Sequence, residues 1–508
     1  MTTALTAKNS YKFSTAYKLI AIIVGAFLMG SLWRIRGDHG FGSMWGMFTV
    51  ATGFSLYVFS IFGFRKKSVY EILPLTVILT AITVGGWGTL NSQIGGFLGS
   101  STPFLGEAAS RTVEISPISG VIIMLFLGFG WMPFFGFLMG RFFSGKKYSM
   151  KDIVLTIVIF YVVQYILKAT LAHLFLNIIN PQAVELFGAG LVDRGIDSNQ
   201  WLTYLKHFSN TGWGKTIPGG RNYFTSIEVI SCAFGALGVW IYQRFILKDK
   251  IGGRVCLAIC SIVALSITIA DVFLVLNVKE GILGFVNAPE WITSYAWSYW
   301  EFFTGFLIGL GAMILFFVVS RDRHAENDVS DNLFNLKRKG KFAYNALLTF
   351  GFTLGITIIR PLAIRLADLQ YTPLGQRIFY DLEEYKTALA QTADSSSIVF
   401  WEKSMVPEVT GYIVFGLIAL IVSFLIVGIN VLGKKYDTPL KTSFYDFCSA
   451  GFPLYLLLVV LFYLVLGNAY LFTPEWSPIT LLMIISVLIV FSGYSIMRLI
   501  EKRSQRNN

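Results

Sequence analysis

Long runs of apolar residues with few charges divide this chain, and they constrain its fold more than any other feature. A helix needs about 20 apolar residues to cross the roughly 30 Å hydrocarbon core of a bilayer, at about 1.5 Å per residue. The 12 candidate spans lie near 17–33, 44–64, 72–90, 117–140, 152–179, 225–247, 254–277, 295–319, 342–360, 409–433, 445–467 and 476–498. We therefore predict an all-α polytopic membrane protein in which residues 1–508 form a single transmembrane domain.

The composition agrees with this class. Apolar residues make up 55% of the chain, charged residues only 14%, and the mean hydropathy is +0.64, which is more apolar surface than a soluble fold can bury. The net charge of +12 is better explained by Lys and Arg beside an anionic leaflet than by binding to nucleic acid. The cysteines show no metal-ligand spacing, so neither a metal nor a cofactor is expected.

Basic residues mark one side of the predicted bundle. Clusters of Lys and Arg follow every second span and close the chain, at 65–67, 141–151, 244–254, 321–341, 434–441 and 498–506. Because Lys and Arg are retained on the cytoplasmic side, we predict cytoplasmic termini and a location in the plasma (inner) membrane. The longer connections then lie outside, where lids, re-entrant pieces or interfacial helices are expected, at 91–116, 180–224 and 361–408.

The stretch from Trp33 to Gly46 concentrates charges between two apolar runs. It reads Trp-Arg-Ile-Arg-Gly-Asp-His-Gly-Phe-Gly-Ser-Met-Trp-Gly, and the predicted orientation places it outside. Charges beside hydrocarbon are costly, so such a group indicates a functional site. The alternative is a polar turn whose arginines reach lipid phosphates.

The residue types in this stretch suit transfer chemistry on an anionic substrate. Arg34 and Arg36 are candidate substrate-binding residues, because a guanidinium group can form two parallel hydrogen bonds with a phosphate. His39 or Asp38 is the candidate general base, since proton transfer needs a titratable group near the acceptor.

Other ionisable residues fall in the outer halves of their predicted spans. They are Lys168, His173, Asp271, Glu301 and, at the end of the ninth span, Arg360. An unpaired charge at the bilayer centre costs a few kcal/mol, so these groups should face one another or water. We predict an outward-facing polar cavity in which Asp271 and Glu301 are further catalytic candidates and the others bind substrate. The alternative is a set of unrelated ion pairs between helices, such as Asp271 with Lys168.

Two glycine-containing segments add candidates for ligand binding at the outer surface. Arg221 lies at the start of span six, where backbone amides, a guanidinium group and a helix N-terminus suit an anionic head group, although Glu228 would oppose an anion unless it pairs with a cation. Asn91 and Gln93 follow the glycines that end span three and can hydrogen-bond a ligand. A plain turn is the alternative for both.

We interpret Gly305-x-x-x-Gly309 as a helix-packing face.

The order of these motifs resembles that of bacterial prolipoprotein diacylglyceryl transferases. That family has a His-Gly-Gly stretch, a basic turn and a Gly-Arg-x-Gly-Asn segment in the order seen here for His39-Gly40-Phe41-Gly42, Arg65-Lys66-Lys67 and Gly85-x-x-Gly88. The resemblance covers residues 33–100, and Gly86 and Gln93 stand where the family has arginine and glutamate. It implies lipid chemistry at an outward-facing, arginine-lined site.

Two functions from different classes remain open at this point. The first is a membrane transferase of the acyl-, glycosyl- or diacylglyceryl type that acts at the extracytoplasmic face on a lipid or lipid-linked anionic substrate. The second is a secondary transporter of a small or anionic solute with twelve helices, coupled through Asp271, Glu301 and Lys168. A one-sided site above an apolar floor would favour the enzyme, and two symmetric halves around a site near the membrane midplane would favour the transporter.

Overall fold

The computed structural model describes residues 13–38, 44–63, 72–85, 117–193, 195, 220–278, 291, 295–321, 377–379, 382–392, 397–400, 444–462 and 478–506. These residues form a bundle of helices with one very short sheet. In chain order the elements are α1 (Thr15–Asp38), α2 (Met44–Phe62), α3 (Ile72–Gly85), α4 (Pro117–Trp131), α5 (Pro133–Ser144), α6 (Met150–Ala169), α7 (Leu171–Ile179), α8 (Pro181–Asp193), α9 (Gly220–Ile241), a π-helix (Tyr242–Ile246), α10 (Lys250–Val278), α11 (Ala296–Arg321), β1 (Arg377–Phe379), α12 (Leu382–Gln391), β2 (Ile398–Phe400), α13 (Phe444–Phe462) and α14 (Pro478–Arg506).

The helices confirm the predicted class of multi-pass helical membrane protein. Within the described ranges, 6 helices are long and apolar enough to cross a membrane, or 8 spans if each bent pair of helices counts as one. A helix lies on every predicted span except 342–360 and 409–433, which fall outside the described residues. The number of twelve spans and the orientation of the termini stay predictions.

Two predicted spans are broken rather than continuous. The chain bends by 50° between α4 and α5, because Pro133 disfavours helical backbone at Met132 and itself occupies the first position of α5. The prediction of one helix over 152–179 is wrong, since α6 ends at Ala169. Thr170 leaves the helical conformation, with φ −133° and ψ −91°, and so separates α6 from α7. Beyond it α7 and α8 meet at 118°.

Glycine contacts hold α1 and α11 together over most of their length. The contacting positions recur every fourth residue, at Gly25, Met29, Trp33 and Gly37 on α1 and at Glu301, Gly305 and Gly309 on α11. A Cβ atom on Gly305 would lie 2.5 Å from Cβ of Trp33, and one on Gly309 would overlap the Gly25 carbonyl oxygen. The two helices run antiparallel, because Gly25 meets Gly309 while Gly37 meets Glu301. The predicted packing face is confirmed.

Helices from the two ends of the chain are interleaved in the described bundle. α10 packs on α4 through Gly128 and Ala264, and on α11 through Ile262 and Gly311. The C-terminal helix α14 packs on α1, and α13 packs on α2. The described helices therefore do not divide into an N-terminal bundle and a separate C-terminal bundle.

A buried polar network fixes the beginning of α10. Asp249 accepts hydrogen bonds from the Tyr148 hydroxyl at 2.7 Å, from Ser144 Oγ at 2.6 Å and from the Gly252 backbone N–H at 2.7 Å. Gln243, in the π-helix, donates to the Tyr148 hydroxyl at 2.9 Å. The last of the Asp249 bonds caps the helix N-terminus. Because the Asp249 carboxylate and the Tyr148 hydroxyl both have protein partners here, we assign this network a structural role.

Residues 377–400 in one of the long connections form a small β-α-β unit. β1 and β2 pair in parallel, with Ile378 opposite Val399, and α12 supplies the crossover that parallel strands require. Glu383 and Glu384 stand in the first turn of α12, where the helix dipole favours negative charge. Among the elements in the described residues, β1 and β2 are the ones that are not helical.

Candidate functional site

The last turn of α1 places Arg36 inside the bundle. Its side chain is 0% exposed, and its guanidinium carbon lies 4.9 Å from the centre of the Trp33 ring and 5.6 Å from that of Trp131. Trp33 is three residues earlier on the same helical face, and Trp131 ends α4 at the bend. Cation–π contacts balance part of the charge. None of the three guanidinium nitrogens donates a hydrogen bond to another residue in the described ranges.

An ion pair beside Arg36 joins α1 to α11. Arg34 Nη1 donates to Glu301 Oε2 at 3.3 Å, and both side chains are buried. The Glu301 carboxylate lies against Gly37, where a Cβ atom would overlap it. Glu301 also interacts electrostatically with Arg36. Its charge is therefore shared between two arginines, and its hydrogen bond is made to Arg34.

The start of α2 closes the site from another side. A Cβ atom on Gly46 would lie 2.6 Å from Cγ of Arg36 and 2.9 Å from its carbonyl oxygen. Glycine at this position permits the backbones of α1 and α2 to meet directly beside Arg36. Arg36 is therefore held by contacts from α1, α2 and α4, and its electrostatic partner comes from α11.

Asp271 is a second buried charged group without a described partner. It is 0% exposed, and neither carboxylate oxygen accepts a hydrogen bond within the described part of the chain. It stands near the end of α10, a helix that packs against α11. The alternative pairing of Asp271 with Lys168 is not formed, because Lys168 bonds to Glu228 instead.

Lys168 and His173 belong to a different group of residues. Lys168 Nζ donates to Glu228 Oε1 at 3.0 Å and so joins α6 to α9. This pairing supplies the cation that Glu228 was expected to need. His173 is in hydrogen-bond contact with the Tyr223 hydroxyl, which joins α7 to α9. Among the described residues, Lys168 and His173 therefore do not join Arg34, Arg36 and Glu301, and the Lys168–Glu228 pair corresponds to the alternative of ion pairs between helices.

The stretch that we expected to form an external connection begins as helix. α1 continues through Asp38, and Arg34 and Arg36 are buried within the bundle rather than reaching lipid phosphates. This burial is possible because Glu301 and two tryptophans face the last turn of α1. The structure describes the backbone of Asp38 and Arg221 in helices α1 and α9 but not their side chains. His39, Asn91, Gln93 and Arg360 lie outside the described residues.

Sequence reasoning missed the contributions of Trp131 and Gly37. Pro133 within the fourth predicted span was a usable signal, because it ends α4 at the residue before Met132 and so positions the Trp131 ring. Gly37 gave a weaker signal. Its role becomes clear only once Glu301, 264 positions later in the chain, is known to lie against it.

The chain was compared with models of protein families, with curated proteins and with solved structures, and none of them matches it. The resemblance to diacylglyceryl transferases stays a prediction. The function must be argued from the buried charges of α1, α10 and α11.

Proposed function

We propose that the protein is an integral membrane transferase that binds the anionic group of a lipid or lipid-linked substrate at Arg36, at the extracytoplasmic end of the bundle. The observation that carries this proposal is the state of Arg36, which is fully buried, contacts two tryptophans and donates no hydrogen bond within the described residues. A buried donor without an acceptor costs about 1–3 kcal/mol, and more when it is charged. A substrate oxyanion would remove that cost and form charge-assisted hydrogen bonds.

The neighbouring groups suggest a division of roles. Arg36 holds the phosphate or carboxylate of the substrate, while Glu301 keeps Arg34 in position beside it. Asp38 and His39 lie two and three residues after Arg36 in the chain, so one of them accepts the proton of the attacking hydroxyl or thiol. The acceptor atom then forms the new bond, and the leaving group departs with the electron pair of the broken bond. Glu301 acts as a positioning residue in this scheme.

The apolar packing of α1 on α11 supports a one-sided site. α1 carries no charged residue between Lys18 and Arg34, and α11 carries none between Glu301 and Arg321. At Gly305 and Gly309 the backbones of these helices touch, which leaves no path for a hydrated solute between them. The interleaving of helices from both chain ends also differs from the paired halves of many transporters.

The broken helices favour the second candidate function, a secondary transporter. Discontinuous helices commonly form the binding sites of transporters, and Trp131, which contacts Arg36, stands at the 50° bend between α4 and α5. On this alternative, Arg36 would bind an anionic solute that is released on the other side of the membrane.

Profiling of lipids and envelope glycans in a deletion strain separates these functions. The transferase predicts that one modified lipid or glycan disappears and its precursor accumulates. Wild-type protein should restore the product, and Arg36→Ala and His39→Ala should not, although both variants insert and fold. Arg141→Ala is the matched control, because Arg141 is also buried and stacks on Tyr148, with its guanidinium carbon 5.7 Å from the ring centre. An unchanged profile together with lost uptake of an anionic solute would favour the transporter.

A further inference from the structure

We propose that Arg244, Lys250 and Arg254 form a second binding site, which takes the phosphate group of an anionic phospholipid at the end of the bundle that we predict to be cytoplasmic. The acyl chains of this lipid lie against Phe245 and Ile246 of the π-helix. The site uses none of the residues around Arg36, so it does not depend on the proposed function.

The side chain of Arg244 lies across the beginning of α10. A Cβ atom on Gly253 would lie 2.9 Å from Cβ of Arg244 and 3.1 Å from its Cδ, so the arginine side chain runs over this glycine. Lys250 is three residues before Gly253 and four before Arg254, and residues at these spacings share one face of a helix. The three cations are therefore gathered on one surface, formed by the π-helix and α10.

No acidic side chain in the described ranges neutralises these three cations, because none of them forms an ion pair there. Asp249 directly precedes Lys250, but both of its carboxylate oxygens accept hydrogen bonds from neutral donors. The Nη1 atom of Arg244 is shielded from solvent and has no acceptor in the described part of the chain. A phosphate group would supply the missing negative charge and accept charge-assisted hydrogen bonds.

Apolar side chains beside the cations favour a lipid over a soluble anion. Phe245 is 58% exposed and Ile246 is 66% exposed, and both directly follow Arg244. The Phe245 ring packs edge-on against Trp240, with 5.7 Å between the ring centres, and tryptophan is enriched where spans meet the membrane surface. Basic pockets between helices on the cytoplasmic side bind the head groups of acidic lipids.

The packing around the cluster distinguishes it from the general excess of basic residues on one side of the bundle. The contact with Gly253 orients the side chain of Arg244. The turn before α6 is fixed against the π-helix, since Lys146 Nζ donates a hydrogen bond to the Leu247 carbonyl. Because a preorganised group of charges loses less freedom on binding, we expect a lipid bound at one place rather than a diffuse attraction.

Photocrosslinking of the purified full chain with diazirine-bearing phosphatidylglycerol or phosphatidylcholine, mapped by peptide mass spectrometry, tests this site. Below saturation, phosphatidylglycerol should label the π-helix peptide of the wild type roughly tenfold more than phosphatidylcholine does. Arg244→Gln, Lys250→Gln and Arg254→Gln should each lower the labelling by phosphatidylglycerol roughly fivefold. Lys502→Gln is the matched control, because it removes the same charge from an exposed position of α14, which packs on α1, and it should leave the labelling unchanged.

Three results would overturn the assignment. The first is equal labelling of the π-helix peptide by the two lipids, and the second is labelling that none of the three substitutions changes. The third is loss of the labelling in an excess of inorganic phosphate, which would assign the cations to a soluble anion. Lys250 and Arg254 are exposed, so their substitutions should not disturb folding, and thermal unfolding in the same detergent checks each variant.

Discussion

The carboxylate of Glu301 lies against the backbone of Gly37, in the volume that the Cβ atom of any larger residue would occupy. This contact lets α1 approach α11 closely enough for Arg34 to reach Glu301 from the preceding turn. The ion pair and the burial of Arg36 therefore depend on a glycine that has no chemistry of its own.

Gly37→Ala should destabilise the protein although alanine normally favours helix over glycine. The new methyl group takes the place of the Glu301 carboxylate, which must then move away from Arg34, and we expect this displacement to cost about 1–3 kcal/mol. The free energy of unfolding in mixed micelles measures the effect. Gly188→Ala is the matched control, because a Cβ atom at Gly188 has no heavy atom within 4 Å, and it should be neutral or stabilising. Equal stability of the two variants would contradict the contact.

Breaking the Arg34–Glu301 pair from either side should be more harmful than removing both charges. Arg34→Met or Glu301→Gln alone should cost roughly 3–5 kcal/mol by breaking the buried pair, and the double variant should recover part of that loss, although Arg36 then lacks its carboxylate neighbour. A double-mutant cycle on unfolding measures the coupling. The more exposed pair of Arg498 and Glu501 serves as the comparison and should give less than about 1 kcal/mol. Similar coupling energies for the two pairs would contradict this prediction.

The sequence was sufficient to predict the helical membrane class and to select Arg34, Arg36, Asp271 and Glu301, because charges within apolar runs are visible without any tertiary information. It was not sufficient to assign their partners. The pairing of Lys168 with Glu228 rather than Asp271 depends on which helices are neighbours. Helix packing of this kind is set by small residues spread over the whole chain. The break at Thr170 was missed because apolar residues continue on both sides of it, so hydropathy does not mark it.

Tyr148 should make stability depend on pH at the alkaline end. Burial and the nearby Asp249 carboxylate raise the pKa of the Tyr148 hydroxyl. Below pH about 10 the folded and unfolded states both keep the proton, and above it only the folded state does, so stability falls as pH rises.

Tyr148→Phe should therefore become more stable relative to the wild type above pH about 10. The difference in the free energy of unfolding should change by up to about 1.4 kcal/mol for each pH unit. Denaturant unfolding of both proteins between pH 8 and 11 measures this difference. A constant gap across that range would show that the hydroxyl is not held in its protonated form by the fold.

The predicted orientation can be tested on two exposed residues, one before α6 and one after it in the chain. Lys147 precedes α6, and Glu185 lies in α8 beyond it. Lys147→Cys should react with a membrane-impermeant maleimide only in inverted vesicles, and Glu185→Cys only in right-side-out vesicles, because basic connections are retained inside. The native cysteines are buried free thiols, so the unsubstituted protein should remain unlabelled. The opposite pattern would place the Arg36 site on the cytoplasmic side.

The most direct measurement is a cryo-EM map of the protein in nanodiscs made from membrane lipids, compared with a map of Arg36→Gln. Our account predicts head-group density whose oxyanion lies within hydrogen-bond distance of the Arg36 guanidinium in the wild type and is missing from the variant. A wild-type map in which Arg36 donates its hydrogen bonds to protein carbonyl groups, with no head group beside it, would contradict the proposed site.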